Sequence, residues 1–192
     1  STAGRAQSPA SSDRARPADG DRPIQADPLF SGRQVYFVGI GGSGMSGLAR
    51  MLATRGAICS GSDQSQSPLT DDLNAAGIRV EIGPSTLPAR CDLVIASAAI
   101  RPDHPELLSA VERGIETISY AEALGRAQVG RTAVSVAGTH GKSTTTAMLA
   151  HILVETGLDP SVIVGATVPQ LQGGSRTGSL TIPTGAQQGR PG

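Results

Sequence analysis

The run Val35-Tyr36-Phe37-Val38-Gly39-Ile40-Gly41-Gly42-Ser43-Gly44-Met45-Ser46-Gly47-Leu48-Ala49 decides the fold of this chain. Four apolar residues predict a buried strand, the glycines a tight turn, and Met45 to Arg55 a helix. Gly39, Gly41 and Gly44 form a G-x-G-x-x-G between strand and helix, the context in which that pattern holds phosphate. Gly39 permits the turn, Gly41 lets the backbone approach a diphosphate, and Gly44 allows the helix to lie close to the strand. Free amides and the positive end of the helix dipole then favour an anion. The same glycines also suit a plain strand-to-helix turn. A dinucleotide site wants an acid at the end of the second strand, and Asp63 stands 19 residues beyond Gly44, in a Ser/Gly loop. It suits a nucleotide sugar, and equally the capping of its own turn.

Outward from that unit, short apolar runs alternate with helical stretches. Ala57–Cys59, Ile78–Ile82, Asp92–Ala96, Ile115–Ile118, Arg131–Ala137 and Ser161–Val164 read as strands. Leu69–Ala76, Pro105–Arg113 and Ser143–Thr156 read as helices, the second opened by proline and closed by Gly114. Strands separated by helices predict an α/β fold: a Rossmann-like parallel sheet followed by the start of a P-loop ATP-binding α/β domain. The expected divisions are a disordered extension over 1–32, the Rossmann-like domain over 33–127, a partial P-loop domain over 128–168 and an irregular tail over 169–192. The first segment carries four arginines and four aspartates but no apolar stripe, too little to offset its ordering entropy.

A second loop, Gly138-Thr139-His140-Gly141-Lys142-Ser143-Thr144-Thr145, follows the strand ending at Ala137 and opens the helix from Ser143. In such a loop backbone amides cradle phosphates, lysine reaches the β- and γ-phosphates, and the next hydroxyl binds Mg²⁺. The general pattern G-x-x-x-x-G-K-[ST] is departed from at Val136, with glycine at 138 instead. Of the 16 basic residues 15 are arginines, so Lys142 is the sole lysine, placed where a compact ammonium is needed. Met148, Leu149, Ile152 and Leu153 form the helix face expected to anchor the loop on a sheet. His140 shapes the loop or touches substrate; His104 and His151 read as surface residues.

Composition narrows the function further. The 16 Lys+Arg balance 16 Asp+Glu, so no basic field exists to hold nucleic acid or an anionic membrane. Four aromatic residues, Phe30, Tyr36, Phe37 and Tyr120, are too few for a base-stacking platform. No apolar run approaches the ~20 residues that cross a bilayer, and Cys59 and Cys91 lack metal-ligand spacing, which predicts a reduced cytoplasmic chain.

With both loops in hand, the run Val38–Ala49 and the run Val136–Thr145 together resemble the Mur ligases, over about Gln34 to Gly178, including Gly61-Ser62-Asp63 and Ser97-Ala98-Ala99-Ile100. The Thr139-His140 pair resembles the members that join L-alanine to UDP-N-acetylmuramate. The resemblance implies a cytoplasmic enzyme of peptidoglycan precursor synthesis, serving cell-wall growth, shape and division. ATP and Mg²⁺ would activate the lactyl carboxylate of UDP-N-acetylmuramate as an acyl phosphate, which the amine of L-alanine attacks. Carried over by position, Gly39, Gly41, Gly42, Ser43, Gly44 and Met45 face the UDP diphosphate, and Asp63 and Ser97 line the uridine and sugar side. Gly138, Thr139, His140, Gly141, Lys142, Ser143 and Thr144 hold ATP, with Lys142 the catalytic cation and Ser143 on Mg²⁺.

The chain also departs from the family's pattern. Pro84 replaces the usual histidine after Gly83, Ala98 replaces a serine, and Ser143 replaces threonine. Where the family has an acidic Mg²⁺-binding strand end, Ser179 to Gly192 has no acid. The expectation is therefore a truncated or frame-shifted ligase with little or no turnover. Two rivals remain at this level: a nicotinamide-dependent oxidoreductase built on Gly39–Gly44 and Asp63, and a non-catalytic nucleotide-binding remnant.

Overall fold

The computed structural model describes residues 27–168 and 173–178. Its first part alternates strand and helix: β1 (Gln34–Val38), α1 (Ser43–Thr54), β2 (Ile58–Asp63), α2 (Pro68–Ala75), β3 (Arg79–Ile82), β4 (Leu93–Ala96), α3 (Pro105–Glu112), β5 (Thr117–Ser119) and α4 (Tyr120–Arg126). The strands form one parallel sheet in the order β3-β2-β1-β4-β5, as the alternation predicts. Val38 stands opposite Ser62 on one side and Ala96 on the other. The loops after β1, β2 and β4 therefore leave the sheet at one edge, where the strand order reverses.

Side-chain alternation along the strands splits the core into two layers. Val35, Phe37, Leu93 and Ile95 face Leu48, Leu52 and Ala123. Tyr36, Val38 and Val94 face Ala110 and Leu87 on the opposite side. Both layers are needed because a parallel sheet buries both faces.

The expected boundary at residue 32 needs correction, since Phe30 is 1% exposed and belongs to the first core layer. Asp27 is buried with it, 3.7 Å from the guanidinium of Arg55, which also donates to Ala127 O at 2.8 Å. The polar composition of the preceding residues hid one aromatic anchor and one ion pair. Residues 1–26 lie outside the described residues.

Beyond α4 the structure continues with α5 (Lys142–Glu155), β6 (Val162–Val168) and β7 (Gly173–Arg176). The strand expected over Arg131–Ala137 is not formed, and Val134 is 68% exposed. A strand needs a neighbour for its amides and carbonyls, and the described residues provide none there. β6 runs beyond its expected end at Val164 and turns back antiparallel onto β7, within the stretch read as irregular. The short α4 also escaped the sequence reading; Ser119 Oγ accepts from the amide of Glu122 to start it.

The α5 face read as its anchor holds only in part, since Leu149 and Leu153 are half-buried and Met148 and Ile152 are not. Met148 and Ile152 are 61% and 55% exposed, while Ala147 and Ala150 pack on Val162, Val164 and Val168. Small residues let the hairpin lie close, so the larger ones point away. The hairpin in turn rests on α1: a Cβ on Gly47 would stand 2.7 Å from Ser175 Cβ, and Ile163 reaches the main core.

Candidate functional site

The turn after β1 is shaped by β2. The amides of Gly39 and Ile40 both donate to Ser62 O, at 2.9 and 3.0 Å, and the amide of Gly41 donates to Asp63 Oδ2 at 2.7 Å. Gly39 has φ +79°, a left-handed conformation that costs other residues energy. At Gly41 the constraint is space, since a Cβ there would lie 2.8 Å from Asp63 Oδ2 and 3.1 Å from Thr70 Cγ2.

α1 then begins with its donors open. Gly42 is the N-cap, with no side-chain capping bond and no acid in the first turn. The amides of Ser43, Gly44 and Met45 precede the first intrahelical bond, which Ser46 makes to Gly42 O at 2.8 Å. Gly42 is exposed, and a Cβ on it would meet nothing nearer than 3.8 Å. From β4, Ser97 donates its amide to Val38 O at 3.0 Å, and its Cβ would stand 3.1 Å from a Cβ on Gly39. The structure thus brings Gly39, Gly41, Gly42, Ser43, Gly44, Asp63 and Ser97 to one edge, at the point where α/β sheets receive their ligands. The arrangement suits an anion held by backbone amides and the helix dipole.

Two residues play other parts than expected. The Met45 side chain is 4% exposed and packs in the core, so only its amide is available to a ligand. Asp63 is the last residue of β2 rather than a loop residue. Its carboxylate accepts from Gly41 and, at 3.3 Å, from Ser65 N, which makes it the brace of the loop. Gly83 donates to Asp63 O at 2.9 Å, and Pro84 beside it is exposed.

In the second loop, Gly141 takes a left-handed φ of +77° as the N-cap of α5, again with no side-chain capping bond and no acid in the first turn. The ammonium of Lys142 donates to Gly138 O at 2.6 Å and to Thr139 O at 3.4 Å, so the loop curls around its own cation. Thr139, His140 and Thr144 are exposed, and Ser143 is half-buried at the helix start. Among the described residues no group of three or more His, Cys, Asp or Glu could hold a metal ion. Ser143 offers a hydroxyl oxygen at the helix start, the donor type that Mg²⁺ takes beside waters and phosphate oxygens rather than in a protein cage.

Several residues at the first site were missed. Tyr120 lies over Gly44, its Oη 2.7 Å from the place of a Cβ there, and burial raises its phenol pKa. Glu106 is 1% exposed beneath the same edge. It accepts from Tyr36 Oη and Ser62 Oγ, both at 2.8 Å, and His104 Nδ1 lies 3.5 Å away. His104 is the N-cap residue of α3, half-buried at the surface with its Nδ1 enclosed. Burial lifts the Tyr36 phenol to about 12. In sequence Glu106 follows Pro105 and reads as an ordinary first-turn acid; its partners come from strands far away in the chain.

Comparison with known proteins bears on both loops. A model of the Mur ligase family, catalytic domain, matches residues 34–129. The chain is 45% identical over 150 residues to UDP-N-acetylmuramate–L-alanine ligase of Paenarthrobacter aurescens, covering 78% of this chain and 33% of that protein. It is 45% identical over 153 residues to the same enzyme of Kineococcus radiotolerans, covering 76% and 32%. Among solved structures, UDP-N-acetylmuramate–alanine ligase of Thermotoga maritima superposes with TM-score 0.69 at 31% identity, covering 78% of this chain and 36% of that one. The UDP-N-acetylmuramate:L-alanyl-γ-D-glutamyl-meso-diaminopimelate ligase of Neisseria meningitides gives 0.68 at 27%, covering 82% and 50%. The chain spans about a third of the length of the curated relatives it matches.

Proposed function

The chain belongs to the Mur ligase family, and from that premise we propose that it carries the two nucleotide loops of a cytoplasmic ligase joining L-alanine to UDP-N-acetylmuramate in peptidoglycan precursor synthesis. The observation that carries the reading is the uncapped start of α1 at the reversal point of the sheet, where Gly42 is open and the first turn of the helix carries no acid. A nicotinamide reading is disfavoured by Asp63, whose carboxylate is engaged with Gly41 rather than presented to a ribose.

In the proposed reaction a lactyl carboxylate oxygen attacks the γ-phosphorus of ATP and ADP leaves. The alanine amine then attacks the acyl carbon, phosphate leaves, and an amide and a proton result. Within that scheme the amides of Ser43, Gly44 and Met45 hold the UDP diphosphate. The Gly138–Thr144 loop holds ATP, and Lys142 exchanges its two loop carbonyls for phosphate oxygens. Mg²⁺ would neutralise phosphate charge beside Ser143. The chain spans about a third of the length of its curated relatives, so the complete ligation is proposed for the full-length protein and nucleotide binding for this span.

Calorimetric titration separates the two loops. UDP-N-acetylmuramate is expected to bind the unaltered chain, and Lys142→Ala to weaken ATP about 100-fold while leaving the sugar nucleotide untouched. ATP affinity unchanged in Lys142→Ala would overturn the assignment. Alanine-dependent phosphate release by the chain alone would overturn the expectation of low turnover.

A further inference from the structure

We propose that Glu106 is a positioning residue for the diphosphate loop, acting through Ser62. The inference rests on the reading of Gly39–Gly44 as that loop. Taking a carboxylate out of water is costly unless it is well bonded, and Glu106 is 1% exposed. Its Oε2 accepts from Ser62 Oγ at 2.8 Å, and its Oε1 from Tyr36 Oη at 2.8 Å. Both donors belong to strands flanking the loop, β2 and β1, while Glu106 belongs to α3, on the opposite face of the sheet from α1. The acid therefore ties α3 to the strand end that shapes the loop.

Ser62 is where the connection becomes specific. Its hydroxyl is held by Glu106, while its carbonyl receives the amides of Gly39 and Ile40 at 2.9 and 3.0 Å. The next residue, Asp63, receives the amide of Gly41 at 2.7 Å. Three consecutive loop amides are thus fixed by two consecutive residues of β2, and the first of these is anchored by the buried carboxyl group of Glu106. What remains open to a ligand is the set just past the N-cap Gly42, at Ser43, Gly44 and Met45. Glu106 thereby sets the pose of the anion-binding amides without touching the anion.

Backbone amide hydrogen exchange, followed by NMR on the whole chain, tests this apart from any ligand. Ser62→Ala and Glu106→Gln are each expected to speed exchange at Gly39, Ile40 and Gly41 about tenfold while Val94 and Ile95 of β4 keep their rates. Tyr36→Phe removes the other donor to Glu106 and is expected to leave the three loop amides unchanged. Loop rates unmoved in Ser62→Ala, or an equal rise through β4, overturn the proposal; Ser62→Ala decides if Glu106→Gln fails to fold. In parallel, the unaltered chain is titrated with uridine 5′-diphosphate. Absence of binding alongside the expected exchange pattern overturns the diphosphate reading and upholds the brace.

Discussion

At Gly42 the needs of folding and of binding oppose one another. An N-cap serine would accept from the first-turn amides of α1 and stabilise the helix. The position has extended backbone, φ −64° and ψ 144°, and open space for a Cβ. Glycine there leaves those amides for a ligand. Gly42→Ser is expected to raise stability by a few tenths of a kcal/mol in thermal unfolding while weakening uridine diphosphate binding in titration. A rise in stability with undiminished affinity would mean the diphosphate does not use the first turn of α1. Gly41→Ala should act differently, because its Cβ would meet Asp63 Oδ2 at 2.8 Å. It is expected to lose about 1–3 kcal/mol, measured by denaturant unfolding. The glycine pattern made these positions legible in the sequence, since spacing within one turn is local information. Glu106, Ser62 and Tyr120 were not legible, because their roles arise only when α3, β2 and α4 converge on the same sheet edge.

Among elements, β1 and β4 were readable as short apolar runs, whereas β2 runs from Ile58 to Asp63, past the apolar Ala57–Cys59 into Ser60-Gly61-Ser62, because its partners β1 and β3 and not its own hydrophobicity set its length. α5 shows the limit of periodicity. Its sequence offers two candidate faces, a large one with Met148 and Ile152 and a small one with Ala147 and Ala150. Which is buried depends on the neighbour, and the β6–β7 hairpin takes the small one. The strand expected over Arg131–Ala137 fails for a related reason, since its apolar character demands a sheet that the described residues do not supply. The exposed face of α5 gives a direct expectation. Met148→Lys with Ile152→Lys should leave the unfolding free energy within about 0.5 kcal/mol of the original and reduce light scattering at high protein concentration. A fall of several kcal/mol in stability would show that this face is covered in solution.

For the molecule as a whole, the sheet and the hairpin are joined through α1, where Gly47 admits Ser175 and Ile163 enters the core. Burying both faces of a small sheet also buries titratable groups, and this gives global stability an alkaline signature. Burial raises the Cys59 thiol from 9.0 to about 12. The unfolded chain therefore releases this proton from about pH 9 while the folded chain retains it to about 12. Stability from the neutral thiol is complete below pH 9 and falls by about 1.4 kcal/mol for each pH unit above it. Tyr36, raised from 10.0 to about 12, adds a loss that starts only at pH 10. The interval from pH 9 to 10 consequently isolates the thiols, and Cys91, raised by burial but only half-buried, contributes the smaller share. Urea unfolding across that interval is expected to show stability falling steadily in the original chain and much less steeply in Cys59→Ala. An identical slope in both would mean that the Cys59 thiol is not sealed within the core between β2 and α1.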